Sequence, residues 1–161
     1  MAGHVATAAC TDWATPANVV RAVHVAFGGR PELDPCSNRE SIVRARHNIR
    51  PPRDGLEVDW SDYATVYVNP PFGRGLAKWV GKCLETQRRT QIILLLPAAV
   101  DTEVWHESVW KWAPRVCFFK GRLRFLGAKA SAPMACAAAY FGFRPDLFEA
   151  AFQPLGRVVT P

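Results

Sequence analysis

The sequence contains no long hydrophobic run, and its first residues lack the marks of an export signal. No stretch of about 18 apolar residues occurs in the 161 residues, so no membrane-spanning helix is expected. The first five residues carry neither the positive charge nor the apolar run of a secretory signal peptide. We therefore expect a protein that is neither inserted in a membrane nor exported.

Paired metal ligands and paired cysteines are also missing. The five cysteines are odd in number and widely spaced, no Cys-x-x-Cys pair occurs, and the four histidines are scattered. Neither a disulfide framework nor a zinc site is expected from this pattern, and no metal cofactor is predicted. The cysteines are expected to be small core residues of a protein that works in the reducing cytoplasm.

Composition and charge describe one folded domain with a basic surface. Hydrophobic residues make up 49% and charged residues only 21%, which favours a buried core over a disordered chain. We expect a single domain over residues 1–161. The net charge of +6 favours a polyanionic partner, although charge alone does not identify that partner.

Alternating strand-like and helix-like patterns predict an α/β fold. They run from residue 31 to residue 112, which implies a mostly parallel sheet with helices packed on it. Two later strand-like segments, near 116–119 and 137–141, are joined without a helical pattern. We expect these two segments to be antiparallel neighbours near the C-terminus.

Capping residues predict where two of the helices begin. Thr15 is expected to cap a helix that has Pro16 at its first position and ends at Gly28. Asn38 is expected to cap a second, brief helix that ends near Arg44.

The most informative segment is Asn69-Pro70-Pro71-Phe72, here called the 69–72 corner, which ends a predicted strand. The side-chain oxygen of Asn69 and the carbonyl of Pro70 can each accept one hydrogen of an exocyclic amino group, and consecutive prolines fix the backbone direction. Two acceptors draw a ring amine toward tetrahedral geometry and free its lone pair for attack. Phe72 offers a face for stacking, worth about 1–3 kcal/mol per base. Taken alone, the tetrapeptide fits a proline-rich turn equally well.

Two further polar corners contain an acidic residue each. Asp34 and Pro35 follow a short apolar segment, and Asp54 lies in a turn between them and the 69–72 corner. Ligands of open parallel sheets bind at the carboxyl ends of the strands. We therefore expect Asp34 to contact the amino-acid moiety of a cofactor and Asp54 to contact an adenine amino group.

A series of short motifs runs through most of the chain. They are Trp13-x-Thr15-Pro16, Leu33-Asp34-Pro35-Cys36-Ser37, Asp54-Gly55-Leu56 with Asp59-Trp60, Asn69-Pro70-Pro71-Phe72, Trp79 with Lys82, Leu95-Leu96-Pro97-Ala98, and Phe119-Lys120-Gly121-Arg122-Leu123-x-Phe125. In this order, over about residues 12–143, they resemble the motifs of the small phage-type, Dam-like DNA N6-adenine methyltransferases. No single motif is decisive, whereas the ordered set is specific.

This resemblance implies a compact, Rossmann-like methyltransferase fold that uses S-adenosylmethionine and acts on double-stranded DNA. It implies direct in-line methyl transfer to the exocyclic amine of adenine, with catalysis by positioning and polarisation. The target base would leave the duplex to reach the site. A bacterial or phage-infected cell is the implied setting, with restriction–modification as one use.

The resemblance also implies roles for individual residues. Asn69 and Pro70 would bind the target amine, Pro71 would complete the corner, and Phe72 would stack on the adenine. The cofactor pocket would be lined by Thr15, Pro16, Asp34, Pro35 and Asp54, with Trp13 covering the cofactor. After Asp34-Pro35 the Gly-x-Gly loop of other methyltransferases is missing, and Phe72 stands where many relatives carry Tyr.

The densest basic segment contains Lys120, Arg122 and Arg124. These cations are expected to hold DNA phosphates beside the flipped base, and the alternative is an exposed turn with solvated charges. The recognition sequence and the oligomeric state are not predicted.

Other functions share the same corner chemistry. Cytosine N4, an RNA base and a glutamine amide also present a planar amino group, and the corner alone does not separate them. A basic nucleic-acid-binding protein without catalysis is the alternative from another class. A saturable site for S-adenosylmethionine distinguishes an enzyme from such a protein.

Overall fold

A seven-stranded mixed sheet forms the centre of the structure, a computed structural model that describes residues 13–161. The spatial order of its strands is β2-β1-β3-β4-β6-β5-β7. The strands are β1 (Leu33–Asp34), β2 (His47–Asn48), β3 (Thr65–Val68), β4 (Gln91–Pro97), β5 (Arg115–Phe119), β6 (Cys136–Phe141) and β7 (Gly156–Val159).

Strand directions divide the sheet into a parallel half and an antiparallel half. β2, β1, β3 and β4 are mutually parallel, with Val66 paired to both Leu33 and Ile92. β6 is antiparallel to β4 and to β5, and β7 is antiparallel to β5. The predicted α/β fold, with a mostly parallel sheet and antiparallel strands near the C-terminus, is confirmed.

Helices cover both faces of the sheet. The helices are α1 (Ala17–Phe27), α2 (Leu76–Thr86), α3 (Trp110–Trp112) and α4 (Pro145–Phe152), with a π-helical turn at Trp105–Val109 and short 3₁₀ helices at Gly55–Glu57, Trp60–Asp62 and Gln153–Leu155. Because side chains alternate across a strand, Tyr67 enters the core beneath α1 and α4, whereas Val66 and Val68 enter the core beneath α2. None of the described helices is long and apolar enough to cross a membrane.

The start of α1 differs from the prediction in one respect. Pro16, not Thr15, occupies the N-cap position with an extended backbone (ψ 150°), and no side chain caps the helix. The hydroxyl of Thr15 instead forms hydrogen bonds with residues of β3 and the corner that follows it. The predicted end is confirmed, since Gly28 adopts the left-handed conformation (φ 70°) that favours glycine.

The brief helix predicted from Asn38 to Arg44 is wrong. Asn38 accepts the backbone N–H of Glu40 at 3.0 Å through its side-chain oxygen, and the chain then runs on without helical structure. Arg44 has a positive φ of 53°, which does not continue a right-handed helix. The local side-chain turn therefore replaces the helix that the same Asn residue was expected to begin.

The carboxyl ends of the parallel strands place three loops along one edge of the sheet. β1, β2 and β3 end at Asp34, Asn48 and Val68, and the loops that follow them begin at this shared edge. β5 runs in the same direction as β4, because both are antiparallel to β6, so the segment from Lys120 onward also leaves the sheet at this edge. This edge brings together the segments that the sequence predicts to be functional.

Candidate active site

The side chain of Asn69 is held by the chain segment that precedes α1. Its amide nitrogen Nδ2 donates to the carbonyl oxygen of Trp13 at 3.0 Å and to Oγ1 of Thr15 at 3.2 Å. A backbone carbonyl only accepts hydrogen bonds, so the NH₂ of the amide must face Trp13 and the oxygen Oδ1 must face the opposite way. The network thus fixes which end of the amide is presented to a ligand.

Two hydrogen-bond acceptors at the corner have no partner within residues 13–161: Oδ1 of Asn69 and the carbonyl oxygen of Pro70. Asn69 is itself partly exposed, and no buried side-chain oxygen or nitrogen of the described residues lacks a partner. Two adjacent acceptors match the two hydrogens of an amino group.

Three aromatic side chains form a wall beside this corner. Trp13 stacks on Phe125 with ring centroids 5.3 Å apart and planes inclined by 23°. Phe72 meets the edge of Phe125 at 6.2 Å and remains partly exposed. A backbone hydrogen bond from Leu126 to Ala14 at 2.9 Å ties the two segments together. Trp13 therefore contributes to the corner, and it does not line the cleft described next.

A cleft of about 920 Å³ opens next to the corner, and we call it the loop cleft. Its walls come from the loops after β1 and β2, and Pro71 and Trp79 close it on the side of the corner. The lining residues are Pro35, Cys36, Ser37, Asn38, Arg39, Glu40, Ile49, Arg50, Pro51, Pro52, Arg53, Asp54, Gly55, Pro71 and Trp79. A space of this size holds a ligand of several hundred daltons.

Asp34 lies behind the loop cleft and not on its surface. It is only 3% exposed, and its Oδ1 accepts the backbone N–H of Cys36 at 3.1 Å. Burial raises the pKa of this carboxyl to about 7, against the lowering effects of the Cys36 N–H, the Ser37 and Ser41 hydroxyls and the positive charge of Arg50. The carboxyl therefore changes its charge near neutral pH.

Asp54 and Gly55 form the opposite lip of the loop cleft. Asp54 is exposed, and its carboxylate caps the following 3₁₀ helix by accepting the N–H of Leu56 at 2.9 Å. Gly55 packs directly on the Asp34-Pro35 turn, since a Cβ added to it would lie 1.8 Å from the carbonyl oxygen of Pro35. The missing side chain of Gly55 thus allows its loop to lie in direct contact with the backbone of Pro35.

The basic segment after β5 is exposed along one side. Lys120, Arg122 and Arg124 face solvent, whereas Leu123 and Phe125 between and beyond them are buried. None of the three cations forms an ion pair with a carboxylate of residues 13–161. Because Phe125 packs on Trp13 and Phe72, these charges lie beside the aromatic wall.

Of the described cysteines, Cys83, Cys117 and Cys136 are buried in the core as predicted, whereas Cys36 is partly exposed on the wall of the loop cleft. Burial and the nearby carboxylates of Asp34 and Asp54 raise the pKa of Cys36 to about 12, and burial raises that of Cys117 to about 12. No group of three His, Cys, Asp or Glu side chains within residues 13–161 is arranged to hold a metal ion. Cys10 lies outside the described residues.

The predicted site residues divide into two neighbouring groups. Trp13 and Thr15 join the 69–72 corner, with Pro16 buried beside them, whereas Pro35 and Asp54 line the loop cleft with Asp34 behind it. Sequence reasoning missed the place of Arg50 and Trp79 on the cleft wall. The position of Arg50 after an edge strand, at the same sheet edge as Asp34, was the available signal.

Comparison with known proteins identifies one family. The family model described as DNA N-6-adenine-methyltransferase (Dam) matches residues 3–140 of the chain. No curated protein and no solved structure gives a significant match. The matched residues include the 69–72 corner, the loop cleft and the basic segment after β5.

Proposed function

This chain belongs to the DNA N-6-adenine-methyltransferase (Dam) family, and we propose that it transfers a methyl group from S-adenosylmethionine to the exocyclic amine of adenine in double-stranded DNA. The observation that carries this proposal is a pair of acceptors without a partner within residues 13–161, Asn69 Oδ1 and the Pro70 carbonyl, at the end of β3. They suit an amino group whose two hydrogens are held while its nitrogen reacts.

In the proposed reaction, Asn69 and Pro70 act on the target amine. Hydrogen bonds from both N–H groups to the two oxygens pull electron density toward the nitrogen and draw it out of conjugation with the ring. The lone pair is thereby directed away from the base plane and becomes nucleophilic. Such preorganised contacts typically change a rate by about 10²–10³ each.

Phe72 is proposed to stack on the adenine and hold its plane. The edge-to-face contact with Phe125 restricts the ring of Phe72, which remains partly exposed. Stacking of about 1–3 kcal/mol per base offsets part of the few kcal/mol needed to extrude the base from the duplex. Pro71 keeps Phe72 and the acceptor pair in a fixed relation and also borders the loop cleft.

S-adenosylmethionine fits the loop cleft in size and in the chemistry of its walls. The proline and tryptophan side chains offer apolar surface, and Arg50 and Asp54 offer opposite charges at the rim. The cofactor supplies a methyl group bonded to a sulfonium, which is electrophilic without further activation. Asp54 is proposed to contact the adenine amino group and Pro35 to line the pocket, while Asp34 contributes its charge from beneath the turn toward the amino-acid moiety.

Pro16 and Trp13 are proposed to border the same cofactor from the corner side, with Thr15 buried behind them. The basic segment is proposed to contact phosphates next to the extruded base through Lys120, Arg122 and Arg124. Their exposure and lack of carboxylate partners within residues 13–161 support this role.

We also propose that the chain forms a single domain and that the enzyme works in the cytoplasm of a bacterium or phage-infected cell.

The experiment that tests this proposal identifies the product. The purified protein is incubated with methyl-labelled S-adenosylmethionine and unmethylated duplex DNA, and the digested nucleosides are separated. N6-methyladenine is expected with the wild type and not with Asn69→Ala. Gln87→Ala is a matched control, since Gln87 is a polar amide that follows α2 and lies at the other end of that helix from the corner.

Other labelled products overturn parts of the proposal. Label on cytosine N4 would agree with the amine-binding role of the corner but would contradict adenine as the substrate. Transfer to RNA alone would contradict DNA as the acceptor. Loss of both transfer and saturable cofactor binding in the wild type would contradict the enzymatic function and favour a non-catalytic nucleic-acid-binding protein.

A further inference from the structure

We propose that Thr15 and Tyr67 are positioning residues, which hold the amide of Asn69 in one orientation through a hydrogen-bond chain Tyr67–Thr15–Asn69. This inference rests on the proposed function for its effect on catalysis. It assigns to Thr15 a task other than capping α1 or lining a cofactor pocket, and it gives Tyr67 its first task beyond packing.

The chain of contacts is continuous and connects residues far apart in sequence. Oγ1 of Thr15 lies 2.8 Å from the hydroxyl oxygen of Tyr67 and accepts Nδ2–H of Asn69 at 3.2 Å. Thr15 is 2% exposed and Tyr67 is fully buried, so water does not replace either contact. Whichever hydroxyl donates in the Tyr67–Thr15 bond, Oγ1 retains a lone pair for Asn69.

The orientation of the amide matters because its two ends have opposite polarity. In the observed orientation the carbonyl of Trp13 and the hydroxyl of Thr15 take both N–H groups, and Oδ1 faces outward as an acceptor. A flipped amide would point its N–H groups at a target amine and its oxygen at the Trp13 carbonyl. Such a side chain would repel the substrate and leave two acceptors facing each other.

Tyr67 anchors this arrangement from within the sheet. It lies in β3 two residues before Asn69, and its ring packs in the core beneath α1 and α4. Burial raises the pKa of its phenol, so the hydroxyl stays protonated and available to Thr15 at all physiological pH values. The hydroxyl of Thr15 is therefore held at one point, from which it can orient Asn69.

The test replaces the hydroxyl with a methyl group of the same shape. Thr15→Val keeps the β-branched side chain and removes the acceptor, and Thr15→Ser restores it. Thr86→Val is the matched control, because Thr86 is a buried threonine in the last turn of α2 whose hydroxyl bonds the carbonyl of Lys82 at 2.8 Å. Methyl transfer is measured as kcat and KM, and cofactor affinity is measured by calorimetry.

We expect Thr15→Val to lower kcat by about tenfold, as one lost orienting hydrogen bond would. The cofactor dissociation constant should stay within about twofold, Thr15→Ser should recover activity, and Tyr67→Phe should show a smaller loss in the same direction. In an Asn69→Ala background, Thr15→Val should have no further effect on kcat, because it acts through Asn69. A rise in the dissociation constant with kcat unchanged would overturn the inference and leave Thr15 as a cofactor-binding residue.

A measurement without turnover keeps the inference separate from the proposed function. The chain has four asparagines, so selective ¹⁵N-asparagine labelling gives four side-chain NH₂ signals, and Asn69→Ala identifies one of them. Thr15→Val should shift the Asn69 NH₂ signal and speed its hydrogen exchange, while the Asn48 signal, bonded to Ala45, stays in place. An unmoved Asn69 signal overturns the positioning role, and an inactive wild type with a moved signal overturns only the methyltransferase proposal.

Discussion

The 69–72 corner and the loop cleft lie side by side at one edge of the sheet and are built in different ways. The corner is fixed by hydrogen bonds from a segment more than 50 residues away in the chain and by stacked aromatic rings. The loop cleft is formed mainly by the loops after β1 and β2, whose charged side chains, such as Arg39, Arg50 and Asp54, lie at the surface. In the proposed function, the chemistry that needs exact geometry takes place at the hydrogen-bonded corner, and the flexible ligand binds between loops.

A large effect is expected when the amide of the corner is replaced with a carboxylate. Asn69→Asp keeps the acceptor oxygen Oδ1 and replaces the NH₂ group that bonds Trp13 and Thr15 with a second acceptor oxygen. A carboxylate oxygen facing the Trp13 carbonyl is repelled, so we expect single-turnover methyl transfer to fall by about 100-fold. Lowering the pH should restore part of the activity, because a protonated carboxyl can again donate. A variant as active as the wild type at pH 8 would show that the corner needs only acceptors.

The next effect concerns the contact that shapes the loop cleft. Gly55→Ala places a methyl group 1.8 Å from the Pro35 carbonyl oxygen, so the two loops must separate. We expect the free energy of unfolding to fall by about 1–3 kcal/mol and cofactor affinity to fall by about tenfold, measured by denaturant titration and calorimetry.

The matched control for this change is Gly81→Ala in α2. A Cβ at Gly81 meets no atom within 4 Å, and alanine is the better helix former by about 1 kcal/mol. This variant should be as stable as the wild type or more so, with unchanged cofactor binding. Equal losses in both variants would mean that the Gly55 contact has no special role in the cleft.

A smaller effect should separate DNA contact from general surface charge. Arg124→Gln is expected to reduce the slope of log affinity against log salt concentration by about 1, because one phosphate contact is lost. Lys111→Gln, which removes a cation that is already paired with Glu107, should leave the slope unchanged. Lys111 precedes β5 and lies toward the other edge of the sheet. If Arg124→Gln and the wild type had the same slope, Arg124 would not contact a DNA phosphate, which would contradict the proposed role of the basic segment.

The last effect is the pH dependence of stability. The pKa of Asp34 rises from 3.8 to about 7 on folding, so the folded state holds this proton more tightly than the unfolded state. The contribution of Asp34 to stability is therefore present below about pH 4 and is lost as the pH rises to about 7. Asp34→Asn should lack this decline when unfolding is followed from pH 4 to pH 8. If the free energy of unfolding changed with pH in the same way in Asp34→Asn and in the wild type, a raised pKa of Asp34 would be contradicted.

Local sequence patterns predicted the elements in which apolar residues recur with a regular period or in a continuous run. The strand before Asn69, the helical stripe at Trp79, Val80 and Cys83, and the buried run of β4 all follow from apolar periodicity and are confirmed. The antiparallel pairing of β5 and β6 is also confirmed. The 69–72 corner could be proposed as a site from the sequence because its residues are contiguous in the chain.

The remaining features depend on contacts that no local pattern contains. The position of Thr15 before Pro16 is typical of a helix cap, but its hydroxyl forms hydrogen bonds with Tyr67 and Asn69 instead. Asn38 has the sequence of a cap as well, and its side chain completes a tight turn to Glu40 instead. The wall of the loop cleft joins Pro35, Arg50 and Trp79 from three segments, so its lining could not be read from spacing alone.

The central claim is that the 69–72 corner acts on the target amine and the loop cleft holds the cofactor. The most direct test measures the single-turnover rate and the cofactor dissociation constant of Asn69→Ala on the same sample. We expect the rate to fall by about 10²–10³ and the dissociation constant to stay within about twofold. A rate within tenfold of the wild type, or a rate loss explained by weaker cofactor binding, would contradict it.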